Sequence, residues 1–70
     1  MTIKEYLAKH AMTHREFGQL VGLTEGMVSH YINGRHLPRL PTALRIEQVT
    51  NGEVTRADLL PELFAGFSRD

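Results

Sequence analysis

Three polar side chains, Glu25, Ser29 and His30, carry the chemistry that is most informative in this sequence. Their spacing places them on one side of a helix, opposite the apolar Val28 and Tyr31. A carboxylate accepts hydrogen bonds, a hydroxyl donates and accepts them, and an imidazole does either according to its proton. Such a set suits recognition of a hydrogen-bonding surface, such as the edges of nucleic-acid bases.

Catalysis and metal binding find little support in the sequence. His10 and His14 have the spacing of a zinc pair, but a helix boundary is expected near Met12 and Thr13, and no third ligand follows at motif spacing. No phosphate-binding glycine loop, dinucleotide-binding motif, zinc-protease motif or nucleophile-elbow motif occurs. We therefore expect no enzyme, no catalytic residues, no bound metal and no cofactor.

Length and composition indicate one small folded domain. The chain has 70 residues, 41% hydrophobic and 23% charged, which is enough for a single core but not for a cleft between domains. It contains no cysteine, so disulfides are excluded and a reducing compartment is expected. The charged N-terminal stretch does not resemble a signal peptide, and no apolar run is long enough to cross a bilayer. These features predict a soluble, cytoplasmic protein without membrane contact.

The formal net charge of zero conceals an uneven distribution. Residues 1–46 carry six basic and three acidic side chains, a balance of +3, whereas residues 47–70 carry two basic and five acidic side chains, a balance of −3. All four histidines lie in the first part and add positive charge as the pH falls. One face can therefore be basic in a neutral molecule, although small domains also show such an imbalance by chance.

Two capping boxes predict the starts of the first two helices. Thr2 with Glu5, and Thr13 with Glu16, have the spacing at which each side chain satisfies the other residue's backbone N–H group. Gly22 is expected to end the second helix, because glycine adopts the left-handed conformation without steric cost. The apolar positions expected to face the core are Ile3, Tyr6, Leu7, His10 and Ala11 in the first helix, and Phe17, Leu20 and Val21 in the second.

Further helical segments follow the turn at Gly22. Thr24 is predicted to cap a third helix, which Asn33 and Gly34 end. A fourth helix is expected to start near Pro41, because proline is tolerated in the first turn of a helix. The inward positions of these two helices are Met27, Val28, Tyr31 and Ile32, followed by Ala43, Ile46, Val49 and Thr50.

The last part of the chain is predicted to be helical in short pieces. Thr55 with Asp58 resembles a third capping box, and Pro61 either breaks the helix that follows or opens a last turn. We predict one helix-turn-helix domain over residues 1–65, with the two crossing helices in residues 13–34, and a frayed tail at residues 66–70.

Residues 13–34 have the pattern of two helices that cross at a fixed angle. Gly18 stands four residues before the turn glycine, where a larger side chain would hold the helices apart. Val28 is placed to pack back into the angle, while Leu23 and Tyr31 fill its sides. These positions predict a helix-turn-helix, the supersecondary motif whose second helix enters the major groove of DNA.

The same residues resemble those of a known family. The motif F-G-x-x-x-G-L-T-x-x-x-V-S-x-Y-I-N-G, residues 17–34, is similar to that of helix-turn-helix proteins of the phage Cro and repressor type. The motif A-x-x-I-E-x-x-T-x-G-x-V-T-R-x-D-L-x-P, residues 43–61, resembles the Cro-like and YdaS-type antitoxin group. Over residues 13–64 the resemblance implies an all-α, lambda-repressor-like domain of four to five short helices. It also implies a transcriptional repressor that binds palindromic operator DNA as a homodimer through the major groove.

The resemblance also implies roles for residues of the two crossing helices. In such proteins the first turn of the second helix and the next exposed pair read base edges; here these positions are Thr24, Glu25, Gly26, Ser29 and His30. Phosphate contacts are expected at the start of the second helix and after the third; the residues there are Thr13, His14, Asn33, Arg35 and Arg39. The alternative for each of these residues is ordinary solvation on a helix surface.

A function of another class also fits the sequence. The chain would then be an antitoxin-type interaction module that binds a protein toxin, with DNA binding secondary. Its partner-binding residues would be the apolar side chains near the end of the chain, which can equally pack in the core or in a homodimer interface; these are Leu59, Leu60, Leu63, Phe64 and Phe67.

Overall fold

The computed structural model describes residues 1–64 and the side chains of residues 1–63. All regular structure in this range is helical, and it comprises α1 (Ile3–His10), α2 (His14–Val21), α3 (Glu25–Ile32), α4 (Leu40–Val49), α5 (Arg56–Leu59) and α6 (Pro61–Phe64). The predicted all-α class is confirmed, with one short helix more than expected because Pro61 opens a last turn. The predicted domain end at residue 65 and the frayed tail at residues 66–70 lie outside the described residues.

Threonine side chains begin four of these helices, where the first backbone N–H groups have no partner within the helix. All three predicted capping boxes form, at Thr2, Thr13 and Thr55. Thr24 caps α3 by accepting a hydrogen bond from the Met27 N–H at 3.2 Å. None of the helices so described is long and apolar enough to cross a membrane.

The turn between α2 and α3 brings two stretches of backbone into direct contact. The Leu23 N–H donates to the Gly18 carbonyl at 2.7 Å. A Cβ atom at Gly18 would lie 2.5 Å from the Leu23 carbonyl oxygen, closer than any real side chain is found. Gly22 is left-handed as predicted, with a φ of 78°. The requirement for a small residue at Gly18 is therefore confirmed, and the backbone of the turn imposes it.

The core collects apolar side chains from α1 to α5, and Phe17, Val28 and Ile46 are fully buried in it. Val54, which was not among the predicted core positions, is equally buried although it lies in the loop before α5. The buried Thr50 hydroxyl holds that loop, donating to the Ile46 carbonyl at 2.7 Å and accepting from the Val54 N–H at 3.1 Å. The Thr50 hydroxyl thus supplies a partner for the Val54 N–H, which would otherwise be buried without one.

Three residues predicted to face the core lie at the surface instead. Leu20 is 45% exposed. The side of α2 that packs against the following turn is the side that carries Gly18, and Leu20 does not lie on it. Ala11 is the left-handed residue that ends α1, with a φ of 51°. His10 is exposed and lies 3.2 Å from a Glu53 carboxylate oxygen. The apolar faces of α1 and α2 are therefore narrower than their sequence spacing indicates.

Carboxylates from the C-terminal part of the chain pair with basic groups across the fold. Lys9 donates to Glu53 at 2.7 Å, and this bond, together with that of His10, lowers the pKa of Glu53. The Arg56 side chain donates to Glu47 at 2.8 Å and lowers its pKa in the same way. Glu47 and Glu53 are therefore both held in ion pairs within the fold.

Asp58 pairs with the ammonium group of Met1 at 2.8 Å. Burial opposes ionisation of this carboxyl, but hydrogen bonds from the ammonium and from Thr55 outweigh it, so the pKa of Asp58 is lowered. The carboxylate thereby links the start of the chain to α5.

We expect the folded state to lose stability in acid. The pKa values of Glu47, Glu53 and Asp58 are lowered in the fold, so their stabilising effect is present above the unfolded pKa and is lost as the pH falls through the folded one. Thermal melts should therefore move to lower temperature below about pH 4.5, the ordinary pKa of glutamate. Glu53→Gln should weaken this dependence, whereas neutralising the exposed Glu62 should not. A melting temperature that stays constant down to pH 3 would contradict the role given to these pairs.

Gly18→Ala should destabilise the fold by about 1 to 3 kcal/mol, because the added methyl group forces the α2–α3 turn apart. Gly26→Ala is the matched control in α3, since nothing lies within 4 Å of a Cβ atom at that position. That change should stabilise the helix by up to about 1 kcal/mol. Urea unfolding of both variants measures the difference, and equal effects would show that the close approach at Gly18 is unimportant.

Candidate nucleic-acid interface

The packing of α3 decides which of its sides faces solvent. Val28 is completely buried, and Leu23 and Tyr31 pack against the core on either side of it. Five residues of α3 and its N-cap are those predicted to read bases. Among them Thr24, Glu25 and Gly26 are exposed, and Ser29 and His30 are half-buried. All five residues are therefore at least partly accessible to solvent.

The first turn of α3 offers both hydrogen-bond donors and acceptors. The Thr24 oxygen accepts from the Met27 N–H, which leaves the hydroxyl proton free to donate elsewhere. The Glu25 carboxylate has no ion-pair partner among residues 1–64 and lies where the helix dipole favours negative charge. Gly26 meets no packing constraint, so its missing side chain leaves the helix surface open to close approach.

Ser29 is joined to the preceding helix by a hydrogen bond. Its Oγ lies 2.8 Å from Nδ1 of His14, the first residue of α2, and the contact is partly buried. Different DNA contacts are predicted for these two residues from the sequence: a base contact for Ser29 and a phosphate contact for His14. The structure places them in direct contact, so neither side chain is independent of the other.

His30 lies against a residue that the sequence analysis did not select. The rings of His30 and His36 are 5.1 Å apart and nearly perpendicular. The loop after α3 folds back so that the Arg35 N–H donates to the His30 carbonyl at 2.9 Å. Only this reversal of the chain brings His36 close, and a spacing of six residues gives no helical signal for it.

Two arginines of the loop after α3 have no acidic partner among residues 1–63. Arg35 and Arg39 are both exposed, and neither makes an ion pair within the described part of the chain. Arg39 precedes α4 but makes no side-chain capping bond. Asn33 is also exposed, and it ends α3 with its N–H bonded to the Ser29 carbonyl at 3.0 Å. Within the part of the chain that the structure describes, the positive charge of these two arginines is therefore not neutralised by an acidic side chain.

Arg45 makes a hydrogen bond to α2 that was not predicted from the sequence. Its Nη1 donates to the Val21 carbonyl at 3.4 Å, at the last turn of α2. A cation at that end of a helix also interacts favourably with the helix dipole. Arg45 therefore stabilises the first helix of the pair and is not counted among the free basic groups.

The N-terminus of α2 retains unpaired backbone donors. Thr13 is not the source of them, because its N–H donates to Glu16 at 2.8 Å and its oxygen accepts from the Glu16 N–H at 3.0 Å. The N–H groups of His14 and Arg15, in contrast, have no partner in the described chain. Two such donors at a helix N-terminus suit an anion such as a phosphate group. A phosphate contact by Thr13 stays a prediction that depends on its hydroxyl proton.

The histidine pair considered as a zinc site is separated by the fold. As predicted, a helix boundary lies between its members, since α1 ends at His10 and α2 begins at His14. One contacts Glu53 and the other contacts Ser29. Over the described residues, no three side chains of histidine, cysteine, aspartate or glutamate come together as a metal site would require.

Comparison with known proteins agrees with this geometry. The helix-turn-helix family model matches residues 3–56, which include α1 to α4 and the start of α5. Neither the curated proteins nor the solved structures contain a significant match. The match confirms the predicted lambda-repressor-like fold and the prediction of DNA binding, while the phage Cro or YdaS-type subgroup stays a prediction. The chain belongs to the helix-turn-helix family and is a DNA-binding transcription regulator.

Proposed function

We propose that this protein is a repressor of the phage Cro type, which binds palindromic operator DNA as a homodimer through the major groove. The observation that carries the proposal is the exposed polar side of α3, held outward by the fully buried Val28. The major groove of B-DNA is about 12 Å wide and admits one α-helix. A cytoplasmic location, expected from the composition, accompanies this function.

The exposed side of α3 is suited to reading base edges. Thr24 and Glu25 in the first turn supply a hydroxyl donor and a carboxylate acceptor, and a carboxylate can accept from cytosine N4. Ser29 and His30 stand one turn further along, where an imidazole N–H can donate to guanine N7 or O6. Gly26 lies between the two groups and lets the helix backbone approach the groove.

Phosphate contacts would flank the reading helix on both sides. The free N–H groups of His14 and Arg15 lie at the start of α2, and Asn33, Arg35 and Arg39 follow α3 along the chain. Contacts of this kind position a protein on the duplex and contribute much of its affinity. The protein is neutral overall, so the arrangement of these groups, rather than net charge, has to attract DNA.

A homodimer would present two copies of α3 to successive major grooves. Such pairs of helices are about 34 Å apart and recognise half-sites separated by about 10 base pairs. The two-fold symmetry of the dimer is then matched by a palindromic operator. Selection of bound sequences from a random DNA pool tests the whole proposal, because an enriched palindrome requires sequence reading and symmetry together.

The antitoxin-type alternative depends on apolar residues near the end of the chain. Leu59 packs in the core, which removes it from the predicted partner-binding set, whereas Leu63 is 55% exposed and lines a shallow groove with Leu60 and Leu37. Phe67 and the side chain of Phe64 lie outside the described part. The family match favours DNA binding over this alternative. A module that binds only protein would show no steep inverse dependence of DNA affinity on salt.

Arg39→Ala should weaken binding to all DNA sequences and reduce the slope of log affinity against log salt by about 0.9, the value for one phosphate contact. Lys4→Ala is the matched control, because it removes an exposed positive charge from α1 instead. Fluorescence anisotropy at several salt concentrations measures both. An unchanged slope for Arg39→Ala would remove this residue from the phosphate-binding set.

His30→Ala should reduce discrimination at one base pair of each half-site by about 1 to 3 kcal/mol. The reason is the loss of the ring N–H that donates to a base in the proposed complex. Gln48→Ala, an exposed change on α4, should leave discrimination unchanged. Competition between the operator and single-base variants measures the effect, and wild-type discrimination by His30→Ala would show that the ring does not read a base.

A further inference from the structure

The hydrogen bond between His14 and Ser29 has a consequence for DNA recognition. We infer that His14 is a specificity-determining positioning residue, which sets whether the Ser29 hydroxyl donates to a base or accepts from one. This inference rests on the proposed function, because it concerns how the exposed side of α3 reads an operator. His14 itself need not touch the base.

The packing of α2 against α3 keeps the Ser29 hydroxyl next to the His14 ring. Nδ1 of His14 and Oγ of Ser29 are 2.8 Å apart and partly shielded from water. They lie on two helices whose relative position is determined by the close approach at Gly18 and by the complete burial of Val28. The bond therefore belongs to the tertiary structure, and Ser29 meets DNA with one of its hydrogen-bonding groups already occupied.

The proton on Nδ1 decides which group is occupied. A serine hydroxyl has one donor and two acceptor lone pairs. When Nδ1 of a neutral His14 accepts the Ser29 proton, Oγ can offer only lone pairs, and these recognise the amino groups of adenine N6 or cytosine N4. When Nδ1 carries a proton it donates to Oγ, and the hydroxyl proton is released to recognise guanine N7 or O6, adenine N7 or thymine O4.

DNA binding itself favours the protonated ring. His14 is the first residue of α2, next to the unpaired N–H groups that suit a phosphate, and its Nε2 has no partner in residues 1–64. An anion beside an imidazole stabilises the charged form. A charged imidazole donates from both nitrogens, so it contacts the phosphate and Ser29 simultaneously. The phosphate contact is thereby coupled to the base preference of Ser29.

Among the described residues, no charged group near His14 forms an ion pair with it. On α2 the neighbouring charges are Arg15 and Glu16, and the Glu16 carboxylate is bound to the Thr13 N–H at 2.8 Å. On α3 the titratable groups are Glu25 and His30, neither of which forms an ion pair with His14.

The charged groups of the other helices near α2 are also occupied elsewhere. Arg45 of α4 is bonded at the opposite end of α2, and His10 of α1 is paired with Glu53. Because histidine is the side chain that ordinarily changes charge near neutral pH, pH is the variable that separates the two states of the Ser29 hydroxyl.

The inference can be tested by selecting bound sequences from a random DNA pool at about pH 6 and about pH 8, which bracket the usual histidine titration. In the wild type, one base pair of each half-site should shift from acceptor-bearing to donor-bearing bases by about fivefold as the pH rises, the effect of one hydrogen bond. His14→Gln keeps a hydrogen-bonding side chain without a titratable charge, so it should give the same preference at both pH values. His10→Ala is the histidine control and should keep the wild-type shift.

Ser29→Ala should abolish both the preference and its pH dependence at that base pair. In the Ser29→Ala background, a second change of His14 to Gln should alter affinity for all sequences equally and change no base preference. Circular dichroism verifies that each variant is folded before selection.

Two results would overturn the coupling while leaving the proposed function intact. One is a wild-type operator with the same bases enriched at both pH values, and the other is a pH shift that persists in Ser29→Ala. A pool in which no sequence is enriched at either pH would overturn the proposed function as well.

Discussion

The fold depends on the contact between Gly18 and the backbone of the following turn. The Leu23 N–H binds the Gly18 carbonyl at 2.7 Å, and the space for a Cβ atom at Gly18 is taken by the Leu23 carbonyl oxygen. Backbone this close leaves only one relative position for α2 and α3. Val28 is then buried in the angle, and the polar side of α3 is turned to solvent. The exposure of the polar side of α3 therefore results from the packing of the apolar residues of the same helix.

Ion pairs within the fold, and not sequence position alone, determine where positive charge is left unneutralised in this neutral molecule. The acidic residues Glu47, Glu53 and Asp58 are bound to basic groups, two of which belong to the N-terminal residues 1–9. Arg35 and Arg39 are left exposed without such partners in the described chain. The acidic residues of the C-terminal part therefore neutralise basic groups that lie away from the loop after α3. A protein with no net charge can thus still present cations to the DNA backbone.

Polar groups at the candidate interface differ in how strongly the fold constrains them. Glu25 and Gly26 have no contacts that restrict their exposed surface, whereas Ser29 is bonded to His14 and His30 lies against His36. The unconstrained positions can change with little effect on folding. If Ser29 and His30 read bases as proposed, a substitution at His14 or His36 affects DNA recognition through a second residue.

The sequence by itself determined where α1, α2 and α5 begin and where α2 ends. A capping box joins residues three positions apart, and a left-handed glycine ends its own helix, so Thr2, Thr13, Thr55 and Gly22 act through short-range bonds that a sequence displays directly. It also located the polar side of α3, because the helical repeat alone separates Val28 from Ser29 and His30. Only the tertiary structure decided that His14 binds Ser29, that Arg45 binds the Val21 carbonyl in α2, that Val54 is buried and that Leu20 is not. Each of those outcomes depends on the distance and angle between segments far apart in the chain, and local spacing carries no information about either.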